Sequence, residues 1–403
     1  MAFLVLSPLT IPIVQILISA GEASGEMYGA ELVEALRRRS PTLSFFGAGG
    51  ERMRAAGCEI VVDAKDLAVV GITEIVSHLP KILGLYKKLV HAADEKKPAV
   101  AVVIDSPAFN WRVARQMRKR GIPVVYYVCP QFWAWRQGRV RLLRKYVNKA
   151  LVIFPFEEKF YRDRGVEATF VGHPLANLEP PQITRQAYAT EYGLDPAKSW
   201  IGLMPGSRRK EVRMNLAAIL EAVRRLGSAY EYLLPIARTL ETKFVQELIE
   251  TQQAASLHRS PAIHLVPEAL AALHHSRAGI IASGTATVEA ALMGTPFVMV
   301  YRVSPLTYAL GRPRVKLSHF AMVNLIATEE VVPELVQHDF TADNILRELN
   351  KIIPDGPPRQ EMQMKLAKVV KALRFGGANG MATPAERAAE QILALAGQNK
   401  KQF

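Results

Sequence analysis

Short, almost unbroken apolar runs alternate with amphipathic stretches along most of the chain. In the first half the apolar runs are Ile13–Ala20, Leu43–Gly47, Val100–Asp105, Pro123–Val128, Leu151–Phe154 and Ala168–Val171. Between them lie helical stretches such as Gly29–Arg39 and Arg112–Arg120, whose basic ends suit the negative end of a helix dipole. Continuous runs of this length, separated by helices, predict parallel strands covered on both faces. The texture changes after Gly172-His173-Pro174, where residues 174–199 are richer in Pro, Gln and Thr and hold no clear strand. A domain boundary is expected there. The pattern then restarts with Trp200–Met204, Tyr232–Pro235, Ile263–Val266, Gly279–Ala282 and Pro296–Tyr301, and from Glu330 onward it reads as helical and charged. The expected architecture is α/β. Residues 1–173 form an N-terminal Rossmann-like domain, 174–199 a linker, 200–345 a second Rossmann-like domain, and 346–403 helices packing across the domains.

A length of 403 residues agrees with two domains, because single cores seldom grow so large. The two cysteines, Cys58 and Cys129, allow no disulfide framework and suit a reducing compartment. The apolar start lacks a basic flank and is broken by Pro8 and Pro12, so no targeting signal is read there. No apolar run reaches the roughly 18 residues needed to span a bilayer. The net charge of +14 changes the picture more: it suits nucleic acid, anionic lipid or phosphorylated substrates, or serves solubility alone.

In open α/β sheets ligands bind where strands end and helices begin, so the chemistry is sought in those loops. The first is Gly21-Glu22-Ala23-Ser24-Gly25-Glu26, whose small residues permit a sharp turn and close approach of a ligand, or only a plain turn. In the second, Gly206 and Ser207 offer donors and Arg208 a bidentate phosphate contact, although Arg208-Arg209-Lys210 also reads as a solvated face. The third runs Ser283-Gly284-Thr285-Ala286-Thr287, and Glu289 follows it. That carboxylate either accepts from a ribose diol or favours the helix start. Asp105 ends a buried strand and is a general base or a helix cap. The aromatic loop Tyr126–Arg136 suits a sugar, an acyl chain or inter-domain packing. Val70–His91 has helical apolar spacing interleaved with Lys81, Lys87 and Lys88, as an interfacial helix or a core helix kinked at Pro80 would. No Asp-x-Asp pair, metal-ligand spacing or nucleophile elbow occurs.

Together these motifs resemble the lipid-A-disaccharide synthase family. The matching segments are SAGEASGEMYGAEL (19–32), AVVGITEIV (68–76), VIDSPAFN (103–110), FWAWRQGRV (132–140), FPFE (154–157), FVGHPLA (170–176), PGSRRKEV (205–212), the run from Ala282 to Pro305, and VNLIA (323–327). The resemblance implies a GT-B-like pair of Rossmann-like domains facing a cleft. It also implies an inverting, metal-independent transfer with no cofactor. The donor would be UDP-2,3-diacylglucosamine and the acceptor the 6-hydroxyl of 2,3-diacylglucosamine 1-phosphate, giving a β-1,6 disaccharide and UDP.

Asp105 and Glu22 would then be catalytic. Ser24, Gly25, Asn110, Trp133, Arg136 and Asn324 would bind substrate, and Gly206, Ser207, Arg208, Ser283, Gly284, Thr285, Thr287 and Glu289 would hold UDP. The enzyme would be cytoplasmic and peripheral at the inner leaflet of the inner membrane, without specific nucleic acid, its oligomeric state left open. Ala108 stands where the family usually has a second acid, and Gln131-Phe132 replaces a Ser-Val pair, which bears on acceptor binding. A peptidoglycan N-acetylglucosaminyltransferase or a UDP-N-acetylglucosamine 2-epimerase would share the architecture. The charge alone would also admit a nucleic-acid-binding protein, but no nucleic-acid module is recognised.

Overall fold

The computed structural model describes residues 14–21, 23–67, 72–135, 137–237, 239–254, 261–311, 317–374 and 382–400. The chain divides into two compact units, Met1–Pro174 together with Phe375–Phe403, and Leu175–Arg374.

The first unit is built on a seven-stranded sheet. Its strands are β1 (Val14–Ala20), β2 (Leu43–Gly49), β3 (Cys58–Asp63), β4 (Val100–Ile104), β5 (Val124–Tyr127), β6 (Lys149–Val152) and β7 (Ala168–Phe170), in the order β3-β2-β1-β4-β5-β6-β7. All neighbours pair in parallel. The connecting helices are α1 (Ala23–Arg39), α2 (Glu51–Ala55), α3 (Ala64–Leu67), α4 (Ile72–Lys96), α5 (Pro107–Lys119), α6 (Val140–Tyr146) and α7 (Pro155–Arg162). Every residue of β4 is buried, which is why it reads as an unbroken apolar run rather than an alternating one.

The second unit repeats the plan with six strands. They are β8 (Ser199–Met204), β9 (Tyr230–Pro235), β10 (Ile263–Val266), β11 (Ala278–Ala282), β12 (Phe297–Tyr301) and β13 (Glu334–Val336), in the order β10-β9-β8-β11-β12-β13. Its helices are α8 (Arg185–Tyr192), α9 (Arg209–Leu226), α10 (Thr242–Ala254), α11 (Ala269–His275), α12 (Thr285–Leu292), α13 (Pro305–Gly311), α14 (Met322–Ala327), α15 (Ala342–Ile352) and α16 (Pro357–Leu373). The last helix, α17 (Pro384–Lys400), returns to the first unit and packs on α1, with Arg38 and Arg39 paired to Glu386 and Glu390. Both sheets are Rossmann-like, and each reverses its winding beside its first strand, at β1/β4 and at β8/β11.

The structure differs from the sequence reading in several places. The stretch 174–199 holds α8, capped by Thr184 and ended by Gly193, and is part of the second unit. The Arg185 guanidinium lies 3.6 Å from the Trp200 ring centroid, and Tyr188 packs in the same cluster. Of the C-terminal helices, α15 and α16 belong to the second unit and α17 to the first. Strands β3 and β13 are additional. Both lie at a sheet edge; β3 is only partly buried, and β13 is three residues long. The stretch 72–96 is helical through Pro80. Leu89, Ala92 and Ala93 are core residues, with Ile82, Leu85, Tyr86 and Val90 packed against them, whereas Leu83 is 41% exposed.

Candidate active site

In the first unit the switch point is formed by Gly21, after β1, and by Asp105 and Ser106, after β4. A Cβ on Gly21 would lie 2.5 Å from the Ser106 Oγ and 3.0 Å from its Cβ, so the glycine leaves room for the two strand ends to approach closely. Asp105 and Ser106 both adopt left-handed backbone, with φ of 48° and 44°. Such conformations cost about 1–3 kcal/mol each and persist only where the surroundings hold them. Here they do. The Asp105 N–H donates to the Tyr127 carbonyl at 3.2 Å, and its own carbonyl accepts from the Tyr126 hydroxyl at 2.8 Å and from Asn110 Nδ2 at 2.9 Å. The half-buried Asp105 side chain is thereby held at the carboxyl edge of the sheet, beside the start of α1 with Ser24 exposed and Gly25 buried. Glu22 and Arg136 lie outside the described residues.

Asn110 itself is completely buried. Its Oδ1 accepts from Ser19 Oγ at 2.7 Å, and its Nδ2 faces the carbonyls of Ser19, Ile104 and Asp105. It ties the ends of β1 and β4 together and offers no free polar atom to a ligand. Trp133 is likewise buried, its indole N–H donating to Glu157 Oε1 at 2.8 Å. In the aromatic loop Trp135 is the exposed ring, at 48%.

In the second unit two loops follow the adjacent strands β8 and β11. After β8, Gly206 has φ of 132° and passes so close to Glu211 that a Cβ would lie 2.7 Å from the Glu211 Cβ. The Glu211 carboxylate accepts from the Ser207 and Arg208 N–H groups at 3.1 and 3.3 Å, and from the Arg208 guanidinium at 2.9 Å. The Arg208 side chain is 80% exposed. Buried Asn215 donates to the Pro205 carbonyl at 2.7 Å from the second turn of α9. After β11, the Ser283 hydroxyl donates to the Phe320 carbonyl at 2.8 Å, and the buried Thr287 hydroxyl to the Gly284 carbonyl at 2.8 Å. Gly284 precedes α12, and Thr285 is exposed at its first position.

Glu289 follows one turn on, half-buried, and its carboxyl has no hydrogen-bond or ion-pair partner among the described residues. Burial pushes its pKa up. A carboxylate in this condition is a ready acceptor for a ligand's hydroxyls.

Asn324 is completely buried too. It donates to the Val332 carbonyl and to Glu334, and accepts from the Val331 and Val332 N–H groups. Glu334 in turn accepts from the Phe320 and Ala321 N–H groups. The pair thus fixes the 319–324 turn, whose Phe320 carbonyl holds Ser283 and whose ring stacks on Tyr301 at 5.8 Å. Sequence reasoning missed Glu211, Asn215, Glu157 and Glu334. The capping spacing Arg208…Glu211 was a readable signal for the first of them. Among the described residues no group of three His, Cys, Asp or Glu is placed to hold a metal.

Comparison with known proteins decides among enzymes of this architecture. Residues 16–387 match the family described as lipid-A-disaccharide synthetase. The lipid-A-disaccharide synthase of Koribacter versatilis is 55% identical over 383 residues, covering 95% of this chain and 98% of that protein. The chain belongs to the lipid-A-disaccharide synthase family. The synthase of Acidobacterium capsulatum is 50% identical, with 94% and 96% of the two chains covered. Among solved structures, a UDP-GlcNAc 2-epimerase from Neisseria meningitidis, bound to UDP-GlcNAc, superposes with a TM-score of 0.62 at 13% identity, covering 96% of this chain and all of that one. A transferase from Siraitia grosvenorii in complex with UDP gives 0.59 at 12%, covering 94% of this chain and all of that one. These similarities fix the fold as GT-B, while membership of the synthase family makes the chain a glycosyltransferase of lipid A biosynthesis.

Proposed function

We propose that the two switch points divide the synthase reaction between them. The second unit holds UDP-2,3-diacylglucosamine, and the first carries the base that activates the 6-hydroxyl of 2,3-diacylglucosamine 1-phosphate. The observation that carries this reading is the contrast between the two strand-end acids. Glu289 is a half-buried carboxylate without a polar partner among the described residues, suited to a ribose diol. Asp105 sits on a braced left-handed turn, its side chain aimed from a fixed backbone.

In an inverting transfer the acceptor oxygen attacks the anomeric carbon from the face opposite the departing UDP. Asp105 removes the hydroxyl proton as the new C–O bond forms and the bond to the diphosphate breaks. Negative charge grows on the leaving diphosphate. The Ser207 and Arg208 amides, the Arg208 guanidinium and the start of α12 supply donors for it without a cation. The Glu211 carboxylate occupies the same amides in the structure, so the diphosphate takes its place. Asn110, Trp133 and Asn324 act by holding these loops rather than by touching substrate.

The test is incubation with the two diacylated sugars and mass analysis of the product. A tetraacylated disaccharide 1-phosphate with release of UDP is expected. Equal use of undecorated UDP-N-acetylglucosamine, or formation of an epimer, would reassign the chain to one of the related architectures. The need to reach two acylated substrates supports a position at the cytoplasmic face of the membrane.

A further inference from the structure

Glu157 is a buried acid that the transfer mechanism leaves unused. It is 1% exposed and accepts three N–H donors: Trp133 Nε1 at 2.8 Å, Ile153 N at 3.1 Å and Phe154 N at 3.0 Å. The last two belong to the turn that opens α7, and the first to the loop after β5. Trp133 is held further by Phe156, edge-on at 5.0 Å. From Trp133 the contacts run on toward the reacting edge. Phe132 stacks on Trp111 at 5.8 Å, Trp111 packs on Tyr126 at 5.6 Å, and the Tyr126 hydroxyl holds the Asp105 carbonyl.

We infer that Glu157 is a positioning residue for the glycosyl transfer: as a carboxylate it pins the aromatic loop 129–135 through Trp133 and so holds the acceptor-side edge around Asp105. The inference rests on the reading of that edge as the acceptor side. All three partners are donors, so the geometry belongs to the ionised acid. A proton weakens either oxygen as an acceptor, and on Oε2, which accepts from both Ile153 and Phe154, it would displace one buried N–H, at about 1–3 kcal/mol.

Protonation lies within reach of ordinary pH. Burial raises the carboxyl more than the Phe154, Trp133 and Ile153 donors lower it, to about 7. The groups that face it stay neutral there. Burial pushes the Cys129 thiol and the Tyr161 hydroxyl up, and brings the His173 ring, packed on Phe154, down to about 4. Tyr161 donates to the Pro130 carbonyl at 2.5 Å. Glu157 is therefore the group that titrates near neutrality in this cluster. The carboxylate pin is present above its pKa and lost as pH falls through it.

The experiment uses the full-length protein labelled with 5-fluorotryptophan, the Trp133 resonance being assigned from Trp133→Phe. In the wild type that resonance is expected to shift between about pH 8 and about pH 6, with a midpoint near neutrality. The same midpoint should appear as an acidic limb in turnover. Glu157→Gln keeps the shape but replaces one acceptor oxygen by a donor. Turnover at about pH 8 should fall about tenfold or more, the acidic limb should flatten, and UDP affinity should stay at the wild-type value. Trp133→Phe should lower turnover in the same direction, non-additively with Glu157→Gln. A Trp133 resonance that ignores pH across this range, or additive effects of the two variants, overturns the inference. Asp105→Asn with normal turnover would overturn the reading of the edge instead, and leaves the fluorine titration standing.

Discussion

At the residue scale, the polar side chains of the site fall into two groups: those engaged by the fold and those left for a ligand. Glu289 is in the second group, and its raised pKa gives a signed test. Ribose hydroxyls donate to the ionised carboxylate better than to the neutral acid, so uridine binding lowers the pKa and releases protons. Affinity for uridine, which has no phosphate to titrate, should rise with pH through the carboxyl range and level off above it. Calorimetry at about pH 5.5 in two buffers of different ionisation enthalpy measures the release. Glu289→Gln should bind more weakly without proton release, and a wild-type protein that releases none assigns the diol elsewhere. Arg208 belongs with it. Its side chain is 80% exposed and paired, among the described residues, with Glu211, so Arg208→Ala should leave folding intact and weaken transition-state binding by about 2–4 kcal/mol in kcat/KM. Asp105→Asn should lower turnover roughly 100- to 10,000-fold with UDP affinity unchanged, as loss of a general base does. Steady-state kinetics beside a UDP titration separates the three variants.

At the element scale, some of the contacts that shape the loops join residues far apart in the sequence. Ser19 and Asn110 are 91 positions apart, and the Ser283 hydroxyl meets a carbonyl 37 positions on. No local pattern announces such pairs, so Asn110 and Trp133 read as ligand contacts in the sequence, whereas in the structure their polar side-chain atoms are engaged by the protein, as those of Asn324 are by residues 331–334. Glycines and strand-end acids were legible because their chemistry is local. Gly21 and Gly206 mark turns, and Asp105 and Glu289 follow recognisable strands. The strands themselves were legible where both faces are buried, as in β4 and β11, and at the edges β7 and β10, but not at the opposite edges β3, which is only partly buried, and β13, three residues long. The brace role of Asn324 predicts stability rather than kinetics alone. Asn324→Ala removes the acceptor of two buried N–H groups and a donor to Glu334. With about 1–3 kcal/mol for each buried group left unpaired, unfolding in denaturant should show a loss on the order of 3 kcal/mol. Wild-type stability with reduced turnover would make Asn324 a ligand contact after all.

At the scale of the whole molecule, the charge is the property that neither fold nor site explains. A Rossmann-like sheet needs no excess of basic residues, and the diphosphate site uses few of the net +14. No helix among the described residues is long and apolar enough to cross a membrane. Both proposed substrates carry acyl chains, and we propose that the enzyme reaches them at a lipid surface. A positive protein is drawn to anionic headgroups by about 1 kcal/mol per basic residue near the surface, and the attraction fades beyond a Debye length. Exposed apolar side chains add a part that salt does not screen, and in the first unit Leu83 and Trp135 supply them, at 41% and 48% exposure. Sedimentation with phosphatidylglycerol vesicles should therefore carry down most of the protein at low salt. At about 1 M salt, where the Debye length falls to about 3 Å, a fraction should be released and a remainder retained. Leu83→Ser with Trp135→Ser should reduce the retained remainder and leave the low-salt binding largely intact, since these two positions carry no charge. Equal binding to neutral phosphatidylcholine vesicles at every salt concentration would show that the charge serves solubility alone.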